Sequence, residues 1–236
     1  MIKKIFKLCK SKIYIKGLFH GIAATIELED LIKNVKRLNT VIDVGSNKGQ
    51  FILLIEKIFP NRSVHSFEPI KEMLAKQKKF FHFKKNIFFN NFALGRSNSN
   101  KEFYVTNRAD SSSFLKIVER ENNSKNYIVK ERRKIQIQTL DNYFNKKKIL
   151  QPVLIKMDVQ GYELEVLKGS KKILKKTDYL LLEVSENEMY KTQPTELKII
   201  RYLKKFNFNV LKSSDWQIIK NTKFRQRDIL FKKNNE

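Results

Sequence analysis

Thr40 to Gln50, TVIDVGSNKGQ, places an apolar strand that ends in an acidic residue directly before a glycine-containing turn. Val41, Ile42 and Val44 form a β-branched run bounded by that turn, as expected for a buried parallel strand. Phe51 to Ile58 (FILLIEKI) has the length and apolar content of a helix, so the turn is expected to join strand to helix. Gly45 offers backbone angles closed to other residues, and Gly49 lets the first helical turn approach a ligand with no Cβ in the way. Backbone N–H groups at the helix start then face that ligand. The spacing Gly45-x-x-x-Gly49 is neither the G-x-G-x-x-G dinucleotide fingerprint nor a phosphate loop, since Lys48 precedes the second glycine and no Gly-Lys-Ser/Thr follows. A pyrophosphate cradle is therefore disfavoured. An ordinary βα connection with a helix-packing glycine is the alternative.

Asp43, at the strand's carboxyl end, suits a ligand carrying an ammonium group and hydroxyls better than a phosphate. S-adenosylmethionine is such a ligand. A second acidic strand end follows. Ser63 to Pro69 (SVHSFEP) reads as a strand stopped by Pro69, which cannot donate to a ladder. Glu68 then lies about twenty residues past the glycine turn, where a Rossmann-type unit places a carboxylate to accept ribose hydroxyls; a solvated acidic strand terminus is the alternative. Asn86 to Phe92 (NIFFNNF) reads as a third strand leading into Ala93, Leu94 and Gly95, with Asn91 and Phe92 where an adenine ring would lie.

On VIDVGSNKGQF, the FEP at Phe67 to Pro69, the NNFALG at Asn90 to Gly95, the TLD at Thr139 to Asp141 and KMDVQGYELEVLKG at Lys156 to Gly169, the chain resembles the FkbM-type S-adenosylmethionine-dependent methyltransferases. The resemblance runs from about Thr40 to the C-terminus and rests on the order and spacing of these segments, the last being the most specific. It implies a Rossmann-like class I methyltransferase fold, S-adenosyl-L-methionine as cofactor, and methyl transfer, usually to an oxygen. The candidate cofactor-binding residues are Asp43, Gly45, Ser46, Asn47, Gly49, Glu68, Pro69, Asn91, Phe92 and Ala93.

Periodicity points to the same α/β fold independently. Pro152 to Asp158 (PVLIKMD) is a fourth apolar strand, Gly161 to Leu174 has mostly helical spacing, and Tyr179 to Val184 (YLLLEV) is a fifth strand. Strands alternating with helices give a mostly parallel sheet with right-handed crossovers and helices on both faces. A helix over Thr195 to Phe206 and two late strands, near Phe208 to Lys212 and Ile229 to Lys232, are expected to complete seven strands. In such sheets ligands sit beyond the carboxyl ends of the strands, where strand order reverses. Asp43, Glu68, Asn91, Asp158 and Glu183 all fall at or near such ends.

Asp158 is the candidate catalytic carboxylate, placed to orient an acceptor hydroxyl or take its proton, with Glu163 holding the acceptor or a metal. Glu163 and Glu165 have a second explanation, since acidic residues in a first helical turn complement the helix dipole. Arg96 to Lys148 does not read as a simple crossover. It holds strands at Lys101 to Thr106 and Lys134 to Thr139, a polar DSSSF at Asp110 to Phe114, and the charged KNYIVKERRK from Lys125 to Lys134. Such insertions commonly carry acceptor specificity. Ser111, Ser112 and Ser113 are placed to bond an acceptor sugar or cover the cofactor, or to form a solvated loop. Arg132 and Arg133 suit an anionic-substrate patch. No Gly-x-Ser-x-Gly elbow surrounds a serine, so covalent catalysis is set aside.

With 236 residues, 41% of them hydrophobic, the chain suits one class I methyltransferase domain over residues 40–236, preceded by a basic amphipathic helical segment over residues 1–39. The lone Cys9 excludes an intramolecular disulfide and fits a reducing, cytoplasmic setting. His20, His65 and His82 stand apart and give no zinc spacing, His65 reading as a packed strand residue, and no obligatory metal is expected. Net charge is +25, but the lysines are scattered over helix faces among abundant Asn, Ile and Phe, which disfavours a nucleic-acid partner. Met1 to Ile22 has no apolar run near the ~20 residues of a membrane span. It suits a helix lying on an anionic membrane surface or packing its apolar stripe on the core or a partner subunit. The sequence therefore reads as a monomeric or homodimeric O-methyltransferase for a saccharide, glycolipid or related metabolite. The alternatives are an RNA or protein methyltransferase, although no Asn/Asp-Pro-Pro-Tyr/Phe motif is present, and an inactive methyltransferase-like binding domain.

Overall fold

The computed structural model describes residues 11–118, 127–219 and 222–234; residues 1–10 with Cys9, and Lys125 and Asn126 of the charged stretch, lie outside the described residues. Strands follow the chain as β1 (Thr40–Val44), β2 (Ser63–Phe67), β3 (Ile87–Asn90), β4 (Ala93–Leu94), β5 (Ser99–Thr106), β6 (Val129–Gln138), β7 (Val153–Met157), β8 (Tyr179–Ser185), β9 (Phe208–Ser213), β10 (Gln217–Ile218) and β11 (Arg225–Lys233). Helices are α1 (Lys12–Phe19), α2 (Glu29–Ile32), α3 (Gln50–Ile58), α4 (Lys71–Phe80), α5 (Leu140–Tyr143), α6 (Glu163–Lys168), α7 (Lys171–Leu174) and α8 (Glu196–Lys204).

The central sheet runs β3-β2-β1-β7-β8-β11, parallel as far as β8, and β11 is antiparallel to β8. β9 pairs with the second half of β11 and the two-residue β10 with its start, so the seven expected strands gain an eighth, short one on the same edge. Neighbours in the sequence alternate between faces, as the strand period of two demands. Ile42, Val44, Ile155 and Leu182 join the core that packs α6, α7 and α8, while Val41, Leu154 and Leu181 join the one beneath α3 and the N-terminal segment. Both faces are therefore covered, and β1, β7 and β8 read as nearly unbroken apolar runs.

Two departures from the sequence expectation have clear causes. The helix expected over Gly161 to Leu174 breaks at Gly169, where a Cβ would lie 2.0 Å from the Gly95 carbonyl oxygen. The two segments touch there. α7 then starts afresh, its Lys172 and Ile173 N–H groups bonded to the Asp141 carboxylate at 2.9–3.0 Å. β6 begins at Val129 and takes in most of the charged stretch, since its side chains alternate along the antiparallel pairing with β5 and leave the charges exposed. Together β4, β6 and β5 form a separate three-stranded sheet between β3 and β7. No described helix is long and apolar enough to cross a membrane.

Candidate active site

Strand order reverses between β1 and β7, whose carboxyl ends lie side by side with Asp43 opposite Lys156 and Val44 opposite Met157. Leaving β1, Gly45 takes φ +75°, and a Cβ there would sit 2.0 Å from the Asp158 carbonyl oxygen. Only glycine lets the two strand ends meet. The Gly45 and Ser46 N–H groups bond the Phe67 carbonyl at 3.0 and 3.1 Å, Asn47 also adopts a left-handed φ of 47°, and Gly49 at φ 87° caps α3. Glu68, at the end of β2, accepts from the Asn47 N–H and the Ile70 N–H, each at 2.8 Å. It thus fixes the turn after β1 to the turn after β2.

These ends, the insertion sheet and the chain after β8 enclose a cavity of about 280 Å³. Gly45, Ser46, Asn47, Glu68, Pro69 and Ala93 of the candidate cofactor set line it, as do Asp158, Ser111 and Ser112. The structure does not bring the others in. Asp43 is fully buried below the lining. Gly49 faces Phe81 and Gln77. Asn91 donates to the Glu68 and Pro69 carbonyls at 2.9 and 3.1 Å, and Phe92 packs edge-on against Phe67; the apolar wall beside Ala93 comes from Leu94 and Ile70. Glu163 turns into its own loop, accepting from the Val159 and Gly161 N–H groups at 3.1 and 3.2 Å. Arg132 lies on the insertion sheet, exposed, 3.9 Å from Glu102 and over the Tyr104 ring; Arg133 pairs with Glu72 and Glu131.

Lys156 is the buried cation of the site. Its Nζ lies 3.3 Å from Asp158 Oδ2 and 3.7 Å from Asp43 Oδ1. Glu183 accepts from Gln160 at 3.3 Å and Gln226 at 2.8 Å, and Gln160 also donates to Asp158 at 2.7 Å. The Tyr190 hydroxyl fixes the Gln160 amide by donating to its Oε1 at 2.8 Å. Burial raises the carboxylates: Asp43 to about 6, against the pull of Lys156, and Glu68 to about 7, against its two backbone hydrogen bonds. Glu183 rises well above its usual range through burial and the charge of Asp158, and Asp228 reaches about 7 from the same two causes. Burial alone would lower the Lys156 pKa, but Asp158 and Asp43 raise it overall, which keeps the amine charged. Five carboxyl groups, Asp43, Glu68, Asp158, Glu183 and Asp228, thus face one ammonium.

Lys156, Gln160 and Gln226 were not singled out as site residues by sequence reasoning, yet Lys156 had a signal: a charge inside the otherwise apolar VLIKM. Thr25, Tyr127, Met189 and Ile219 also line the cavity. They come from distant segments and carry no local motif. Among the described residues no group of three or more His, Cys, Asp or Glu is arranged to hold a metal ion.

No curated protein matches the chain. Among solved structures, TehB from Haemophilus influenzae superposes with a TM-score of 0.52 at 12% identity, over 90% of this chain and 63% of TehB. The chain thus spans less than two thirds of that protein's length, and the likeness is one of fold. Magnesium protoporphyrin IX methyltransferase from Synechocystis, a structure with bound S-adenosylmethionine, superposes at 0.49 and 9% identity over 88% of this chain and 77% of its own. The family model described as the methyltransferase FkbM domain matches residues 43–210, most of the sequence, and the chain belongs to that family.

Proposed function

We propose that this protein transfers a methyl group from S-adenosylmethionine to a hydroxyl of a saccharide, glycolipid or related metabolite. The observation that carries the reading is the excess of carboxylates over the one ammonium of Lys156 at the switch point of the sheet, which suits a cationic, hydroxyl-bearing ligand. The residues present fit that cofactor. The side-chain oxygen of Asn47, a lining residue, is buried with no hydrogen-bond partner. Glu68 uses two of the roughly four acceptor positions of a carboxylate on the backbone, leaving two for ribose hydroxyls. Gly45 and Ser46 line the cavity beside it, and Ile70, Ala93 and Leu94 offer an apolar wall for a purine.

S-adenosylmethionine supplies an electrophilic methyl group: an oxygen–methyl bond forms as the sulfur–methyl bond breaks, sulfur keeps that electron pair, and the hydroxyl proton leaves to a base. Asp158 takes that proton in this reading. It is part-exposed to the cavity, and Lys156 and Gln160 hold its two oxygens from opposite sides. Aligning acceptor and methyl meets much of the barrier, and a positioned base typically adds 10²- to 10⁴-fold. Ser111, Ser112, Phe114 and Tyr127 offer polar and aromatic surface for the acceptor. A reducing, cytoplasmic setting is part of this reading, and a lone cysteine fits it.

Calorimetric titration with S-adenosylmethionine, beside Glu68→Ala and Asp158→Asn, tests the reading. Micromolar-range binding that weakens in Glu68→Ala and persists in Asp158→Asn is expected. A wild-type protein that does not bind would remove the cofactor assignment, and loss of binding in Asp158→Asn would move Asp158 from the acceptor to the cofactor.

A further inference from the structure

α1 is apolar on more than one side. Its inner face packs against α3: Tyr14 is fully buried, and a Cβ on Gly17 would lie 2.6 Å from the Leu53 side chain. Its outer face keeps Ile15, Leu18 and Phe19 together, as the three- and four-residue helical spacing requires, and Phe19 is 85% exposed. The end of α1 meets the end of α4. His20 packs edge-on to Phe80 at 5.3 Å, and Lys16 Nζ lies 4.9 Å from the ring of Phe83, itself 49% exposed. Two separate stretches of chain thus build one exposed apolar surface.

Charge on those stretches has one sign. Residues 1–26 and 73–101 contain no aspartate or glutamate, while Lys12, Lys16, Lys76, Lys78, Lys79 and Lys85 are exposed on α1, on α4 or just after it. Among the described residues none of those six forms an ion pair, whereas Lys84 is paired with Glu56 and Lys57 with Glu29. Exposed phenylalanine and leucine amid unpaired lysines have the composition of an interfacial membrane surface. A second copy would set one cationic face against another, and the phosphate backbone of a nucleic-acid duplex has no use for Phe19. We infer that the α1 and α4 ends form a docking surface for an anionic lipid bilayer. The surface adjoins the cavity, since Thr25 beyond α1 lines it and Gly49, beside the lining Asn47, abuts Phe81. It does not depend on the methyl-transfer reading, although a membrane-borne acceptor would suit both.

Sedimentation of the full chain with vesicles tests this, using phosphatidylcholine alone and phosphatidylcholine with phosphatidylserine. The wild type should prefer the anionic vesicles, with Lys12→Gln and Lys16→Gln each weakening binding about fivefold. The pair Phe19→Ser and Phe83→Ser should weaken it roughly tenfold or more. Both phenylalanines are exposed, so an unchanged Tm and unchanged S-adenosylmethionine titration will show the fold and cofactor site intact. Equal failure to bind both vesicle types would overturn the inference. So would binding that the phenylalanine pair leaves undiminished, which would indicate a polyanion such as nucleic acid, or a dimer that the pair converts to monomer, which would assign the surface to a second copy. Failure of the methyl-transfer reading would register in the titration instead.

Discussion

Replacing Lys156 by Met should destabilise the protein by an amount that depends strongly on pH. Methionine keeps the length of the stem and removes the charge. Above pH 8, Asp43 and Asp228 are ionised, and loss of the shared cation leaves them uncompensated; breaking such a buried pair costs about 3–5 kcal/mol. Asp43 alone gives the scale. Its pKa rises from 3.8 to about 6 even with Lys156 in place, and two units correspond to about 3 kcal/mol. The sign follows from proton uptake. A carboxylate whose folded pKa lies above its unfolded value contributes stability that is fully present below the unfolded pKa and is lost as pH rises through the folded one. With Lys156 gone those folded values move higher still, so the mutant loses more than the wild type as pH rises. Near pH 5, where Asp43 and Asp228 are largely neutral, the substitution should cost only about 1.5–3 kcal/mol, the size of a lost charged hydrogen bond. Urea unfolding of both proteins at pH 5 and pH 8 measures the difference. Equal losses at the two pH values would refute the shared-cation account.

Other substitutions probe separate contacts. Gly45→Ala should cost at least about 2 kcal/mol, because a left-handed residue with a Cβ is disfavoured by about 1–2 kcal/mol and this one meets the Asp158 carbonyl at 2.0 Å; thermal unfolding with little change in Tm would show that the strand ends separate easily. Tyr190→Phe removes the donor to part-buried Gln160 Oε1 and should cost about 1 kcal/mol, with a loss under about 0.5 kcal/mol in chemical denaturation indicating that another donor serves it. His65 is buried against Phe88, Tyr143 and Phe144, and burial lowers its pKa from 6.5 to about 4. The unfolded chain binds that proton first, so this residue should withdraw about 3 kcal/mol of stability as pH falls from 6.5 to 4. His65→Phe should flatten that part of the stability profile, and an unchanged slope would contradict the assignment.

Much of the molecule is written locally. The apolar run before Gly45, the break at Pro69 and the helical spacing around Leu164 each fix an element from neighbouring residues alone, because strand and helix periods act over a few positions. Ends of parallel strands in an alternating chain fall on one edge, so Glu68 and Asp158 on the cavity follow from the sequence order. Side-chain direction does not. Glu163 lies five residues after Asp158 and looks equivalent on paper, yet its carboxylate is drawn back to the Val159 and Gly161 N–H groups. Arg132 alternates outward on β6 because the register with β5 points it there.

The sequence by itself determined the family, the alternation of the main strands with helices and the glycine turn at the head of the sheet, since each rests on short-range patterns. Tertiary structure decided which charges share Lys156, that Gln160 and Gln226 complete the site, and that α1 faces the core with Tyr14 and solvent with Phe19. Those outcomes depend on contacts between residues far apart in the chain, and long-range Coulomb and packing terms have no local signature.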